Sequence, residues 1–99
     1  MNGGQVKTIT VQELFAISHR RPIELVDVRT LEEFREVRAA NARHVPMHTI
    51  EPHELMRNRT LPPTEPVYFI CHLGGRSERT CAALMSAGYA NVVNVVGGT

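Results

Sequence analysis

The chain has 99 residues, 42% of them hydrophobic, and a net charge of +1. That suffices for one small domain with a modest core, and the near-zero charge excludes the basic surface that nucleic-acid binding requires. No run approaches the ~20 apolar residues of a membrane span, and the opening MNGGQVKTIT holds no apolar signal segment, so the two cysteines are expected to be reduced and the protein cytoplasmic.

Taken in order, the chain alternates short β-rich runs with helical patterns. Lys7–Ile9 predicts an edge strand. Thr10-Val11-Gln12-Glu13 has the form of a capping box, opening a helix with Val11, Leu14 and Phe15 on one face. Ile23–Val28 is a nearly continuous apolar run, as expected of a strand buried on both faces in a parallel sheet. Thr30-Leu31-Glu32-Glu33 repeats the capping signature, with Leu31 and Phe34 facing the same way. His44–Val45 predicts another edge strand, and Pro52 suits the first turn of a helix carrying Leu55 and Met56. A loop at Pro62, Pro63 and Pro66 precedes a second buried run, Val67–Cys71. After Ser77, Cys81, Leu84, Met85 and Tyr89 recur at helical spacing, and Gly88 fits the left-handed position past the helix end. Val92–Val96 is the third buried run. This alternation predicts an α/β domain, a mainly parallel sheet with helices on both faces.

In such sheets ligands bind beyond the carboxyl ends of the strands. Cys71 closes a buried strand, with a helix expected about six residues later. The segment between, His72-Leu73-Gly74-Gly75-Arg76, must turn tightly. Gly74 and Gly75 allow positive φ, so that successive N–H groups can converge as an anion-binding nest. The helix N-terminus adds partial positive charge and Arg76 a full one. All of these would favour a Cys71 thiolate, the reactive form. The alternative is an inert core thiol, which gives no reason for two glycines and an arginine to follow at once.

The pattern Cys71-x-x-Gly74-x-Arg76-Ser77 precedes a helix ending in AGYANV and then VVNVVGGT, and LVDVRTLEEF lies upstream. Together these segments, from about Ile9 to Gly98, resemble the rhodanese-like family. The resemblance implies a three-layer α/β/α fold with a five-stranded sheet, and a sulfurtransferase. Cys71 would take sulfur from a donor such as thiosulfate as a persulfide and pass it to cyanide or a thiol. His72, Leu73, Gly74, Gly75, Arg76 and Ser77 would form the anion-binding loop, with Arg76 holding the donor and His72 affecting specificity at most. The implied chemistry needs no cofactor. Cysteine phosphatases and arsenate reductases are the competing enzymes, but their loop resembles Cys-x5-Arg, whereas four residues separate Cys71 from Arg76 here. A non-catalytic sulfur carrier or protein-interaction module is the other alternative, although inactive relatives often lack the cysteine.

Asp27 and Arg29 are expected to support the loop as an ion-pair anchor, with Arg29 reaching Glu33. Cys81 is read as a buried structural thiol. Arg79, in the helix's first turn, either adds positive potential at the mouth or stands in solvent. His19, His44, His48 and His53 show no metal-ligand spacing, and no metal site is expected. The family's usual His-Ile-x-Gly-Ala turn is Arg38-Ala39-Ala40-Asn41-Ala42 here, with Asn41 taking the left-handed position of the glycine. Relatives continue into a tryptophan-bearing segment and a last helix. Residues 1–99 are therefore expected to form one domain without that helix, leaving a sheet face open to a second copy in a homodimer.

Overall fold

Residues 5–97 are described here from a computed structural model. Gly98, the second of the terminal glycines, lies outside the described residues. Five strands form one parallel sheet in the order β1-β5-β4-β2-β3. They are β1 (Lys7–Thr10), β2 (Glu24–Asp27), β3 (Arg43–His44), β4 (Val67–Ile70) and β5 (Val92–Val96). The helices are α1 (Val11–Ser18), α2 (Leu31–Glu36), α3 (Pro52–Arg57) and α4 (Gly75–Ser86), with a 3-10 turn at Met47–Thr49.

The apolar runs are strands for the reason the sequence suggests: every residue of β2 and β4 is buried. Alternation along each strand divides the interior in two. Val26, Val67, Phe69 and Val92 pack with Leu55 of α3 and with Cys81 and Leu84 of α4. Leu25, Tyr68, Ile70, Val93 and Val95 pack with Leu14 of α1 on the other face. This second face is incompletely covered. A groove of about 730 Å³ remains there, lined in part by Leu14, Phe15, Leu25, Ala39 and Ile70.

Both capping boxes form. Thr10 Oγ1 accepts from Glu13 N–H at 3.0 Å while Glu13 accepts from Thr10 N–H at 2.8 Å. The corresponding distances for Thr30 and Glu33 are 3.2 and 3.0 Å. Asn41 takes the left-handed conformation, φ 65°. α4 ends at Ser86, with Gly88 in the left-handed position just past the helix as the sequence suggests and Tyr89 beyond it. Gly88 has φ 100°, its N–H bonds Met85 O, and Tyr89 N–H returns to Leu84 O. This double closure satisfies the last carbonyls and turns the chain away. The third strand falls one residue early, at Arg43–His44.

One element of the fold has no signature along the chain. Glu24, 5% exposed, opens β2 and accepts from Arg59 Nε at 2.9 Å and from the N–H groups of Thr60 and Leu61. Burial pushes its carboxyl up, but these donors together hold it below the usual range. The segment after α3 is thereby tied to the edge of β2. Among the described residues no helix is long and apolar enough to cross a membrane.

Candidate active site

The carboxyl ends of β4 and β2 carry the residues that the sequence singles out. Cys71 immediately follows β4 and is fully buried, its side chain on the α4 face of the sheet. The helix begins at Gly75, only four residues on and earlier than the spacing suggests. Gly74 explains the difference. At φ 93° it caps the helix and turns the chain directly from the loop into α4. Gly75 is the first helical residue and needs no positive φ. Arg76 and Ser77 therefore stand in the first turn, where backbone N–H groups lack helical partners.

Those donors converge on the thiol. Gly74 N–H lies 3.1 Å and Ser77 N–H 3.3 Å from Cys71 Sγ, and Ser77 Oγ lies 3.3 Å from it. Burial pushes the thiol up. The Ser77 hydroxyl and the N–H groups of Ser77, Gly74 and Arg76 outweigh that effect and hold Cys71 below the ordinary thiol value. Cys81, on the same helix, is the contrast: burial, with Glu78 adding to it, pushes its thiol up to about 12. His72 and Leu73 are exposed at the rim, Leu73 by 83%.

The ion pairs differ from the sequence expectation. Arg29 pairs with Asp27, not Glu33. Its Nε and Nη2 reach the Asp27 carboxylate at 3.0 and 2.8 Å, and Nη2 also donates to Val37 O. Glu33 instead takes Arg76 in a fork, at 2.7 and 3.1 Å. The capping box explains this choice, since it holds Glu33 in the first turn of α2, facing the first turn of α4. The Arg76 fork, followed by Thr30 N–H, lowers Glu33 to about 2. Arg76 thus places two of its donors on a carboxylate, and its charge still acts favourably on Cys71. Asp27 and Arg29 are 1% and 3% exposed and form a closed anchor behind the loop. His44 Nε2 bonds Arg29 O at 2.8 Å and its ring stacks on Phe34.

A further residue belongs to this network and carries no motif signal. Asn94 of β5 is 3% exposed, and its Oδ1 accepts from Ser77 Oγ. The only hint in the sequence is that it interrupts the run VVNVV with a polar side chain.

The depressed Cys71 value has a direct consequence. Thiolate is present above that value and is lost as pH falls through it. Alkylation by iodoacetamide should therefore reach its plateau with a midpoint below the free-thiol value of ~8.5, and peptide mapping should find the label on Cys71 alone while the fold is intact. A midpoint at or above the free-thiol value, or labelling of Cys81 in the native protein, contradicts this geometry.

Comparison with known proteins agrees with the fold and the loop. The rhodanese-like domain pattern matches residues 10–99. A sulfurtransferase of Allochromatium vinosum is 38% identical over 74 residues, covering 75% of this chain and 65% of that protein. YrkF of Bacillus subtilis, whose name marks it as a sulfur carrier, is 32% identical over 76 residues, 77% of this chain but 39% of YrkF. The chain thus spans less than two thirds of both of these curated relatives. The crystal structure of a rhodanese-like domain protein from Staphylococcus aureus superposes with a TM-score of 0.78 at 36% identity, covering 94% of this chain and 87% of that one. A parallel five-stranded sheet ending in a Cys-x-x-Gly-x-Arg-Ser loop, matched over nearly its whole length, makes this chain a member of the rhodanese-like family.

Proposed function

We propose that the protein transfers sulfane sulfur through a persulfide on Cys71. The observation that carries this reading is the convergence of Gly74 N–H, Ser77 N–H and the Ser77 hydroxyl on one buried thiol. In the first half-reaction, Cys71 thiolate attacks the outer sulfur of thiosulfate. A new S–S bond forms, the bond to the sulfonate sulfur breaks, and sulfite leaves with its electron pair. The resulting Cys–S–S⁻ keeps its charge near the loop amides and the α4 N-terminus. In the second, cyanide or a thiolate attacks the terminal sulfur, and Cys71 leaves as thiolate. This double displacement gives ping-pong kinetics. His72, Leu73, Gly74, Gly75, Arg76 and Ser77 surround the donor, and the Asp27–Arg29 anchor supports them from behind.

Two observations weigh against phosphate chemistry. The loop has four residues between Cys71 and Arg76, and the Arg76 fork is occupied by Glu33. A protein acceptor is the second reading, favoured by Leu73, a large apolar side chain 83% exposed beside the thiol. Purified protein should convert thiosulfate and cyanide to thiocyanate, and Cys71→Ser should abolish it. Persulfide formation without thiocyanate would favour the carrier reading. Aryl-phosphate hydrolysis without sulfur transfer would overturn both.

A further inference from the structure

We propose that Asn94 is a positioning residue for the reactive thiol: its carboxamide holds the hydroxyl proton of Ser77 away from Cys71. The inference rests on Cys71 being the reactive group, and it names a residue that restrains that group.

The argument begins with burial. Asn94 occupies the middle of β5, paired with Thr8 of β1 and Phe69 of β4. Its side chain points to the α4 face, because Val92 belongs to that core while Val93 and Val95 belong to the other. A carboxamide buried there is unfavourable unless it is hydrogen-bonded, and valine would continue the run without that cost. Its Oδ1 meets the Ser77 hydroxyl, and Ser77 in turn touches Cys71.

Ser77 has one hydroxyl proton and three acceptors within reach. These are Asn94 Oδ1, Gly74 O at 3.2 Å and Cys71 Sγ at 3.3 Å. A carboxamide oxygen is a far better acceptor than a thiol sulfur, which draws the proton toward Asn94. With the proton on that side, the Ser77 oxygen presents lone pairs to Cys71 and accepts from its S–H. The chain S–H to Oγ–H to Oδ1 is the arrangement of the neutral thiol, whereas the thiolate takes the Ser77 hydroxyl as a donor. To stabilise a thiolate, Ser77 must rotate and give up Asn94. Asn94 therefore competes with the thiolate for one proton and opposes the pull of the loop N–H groups.

Among the described residues, the charged groups near Cys71 include Arg76 of α4, Glu33 of α2 behind it and the Asp27–Arg29 pair at the end of β2, and the titratable His72 follows Cys71 in the loop. The facing parts of β4, β5 and α3 contribute Phe69, Val92 and Leu55, which carry no charge. A substitution of Asn94 by a neutral side chain alters none of these charges.

Asn94→Val should accelerate iodoacetamide alkylation of Cys71 about threefold to tenfold at pH values below the wild-type midpoint, the range given by one redirected hydrogen bond. Asn94→Asp, with a stronger acceptor and a negative charge, should slow it. In a Ser77→Ala background, Asn94→Val should leave the pH profile unmoved, since the relay is already cut. A purely structural role would lower the melting temperature of Asn94→Val while leaving its pH profile at wild type, and that result overturns the proposal. Slower alkylation in Asn94→Val also overturns it, because the carboxamide would then be donating to Ser77. If Asn94→Val fails to fold, Asn94→Asp decides the matter by the sign of its change alone, acceleration overturning the proposal. Cys71→Ser, read in the same assay, separately tests whether Cys71 is the thiol that reacts.

Discussion

Arg29→Ala should lower the melting temperature by about 12 °C or more. Arg29 and Asp27 are 3% and 1% exposed, and the guanidinium supplies the charge that neutralises the Asp27 carboxylate. Removing one partner of a buried pair strands the other, at about 3–5 kcal/mol. That is a large share of the roughly 5–15 kcal/mol that holds a domain together. For a chain of 99 residues, each kcal/mol moves the melting point by about 4–8 °C. The damage comes mainly from the uncompensated carboxylate, so adding Asp27→Asn to Arg29→Ala should recover part of the loss. Thermal unfolding followed by circular dichroism reads both effects. A melting point within a few degrees of wild type, or no recovery in the double variant, contradicts the account of Asp27 and Arg29 as a closed anchor.

Gly74→Ala should reduce thiosulfate turnover by about a hundredfold, the scale for losing one preorganised donor at a charge. Two constraints meet at Gly74. Its φ is 93°, and an added Cβ would lie 2.9 Å from Val96 Cγ1. Its N–H also donates to Cys71 Sγ at 3.1 Å, so relieving the crowding moves a donor off the sulfur. Gly75 provides the comparison. It has no positive φ, and a Cβ there would meet only Arg79 Nη1 at an ordinary 3.8 Å. Gly75→Ala should therefore retain most of the wild-type rate. Steady-state assays of the two variants separate these positions, and equal sensitivity at both would contradict the assignment of the turn to Gly74.

The difference between these glycines shows how far the sequence reaches. Features set by a few neighbouring residues were legible. The Thr10 and Thr30 capping boxes, the Gly88 helix end and the left-handed Asn41 all close locally, within about one turn of chain. The buried runs were legible because strands covered on both faces leave little room for polar residues. Partner choice was not legible, because it depends on which loops the sheet order brings together. Glu33 and Arg76 are 43 residues apart and meet only because β2 lies beside β4. Ser77 and Asn94 meet because β5 flanks β4 on its other side. Glu24 looks like the polar edge of an apolar run, and its partner Arg59 lies 35 residues away. The helix starts earlier than the sequence suggests for a related reason. Two adjacent glycines suggest a longer loop, but only Gly74 adopts the turn conformation, and Gly75 is already helical.

The same logic explains why Arg76 has a second role beside the one its position suggests. From the chain alone it is a free cation next to a nucleophile. In the folded protein it is a strut between α4 and α2, forked to a carboxylate that also caps a helix. Its charge contributes to the potential at Cys71, while the direct contacts to sulfur come from the backbone and from Ser77. The chemistry proposed for this loop thus depends chiefly on its path, which Gly74 sets.

Intact-mass measurement after thiosulfate treatment tests that chemistry most directly. The wild-type protein should gain one sulfur, peptide mapping should place it on Cys71, and a thiol reductant should remove it. Cys71→Ser should gain none. No sulfur adduct on the wild-type protein, or an adduct that persists in Cys71→Ser, would contradict a Cys71 persulfide.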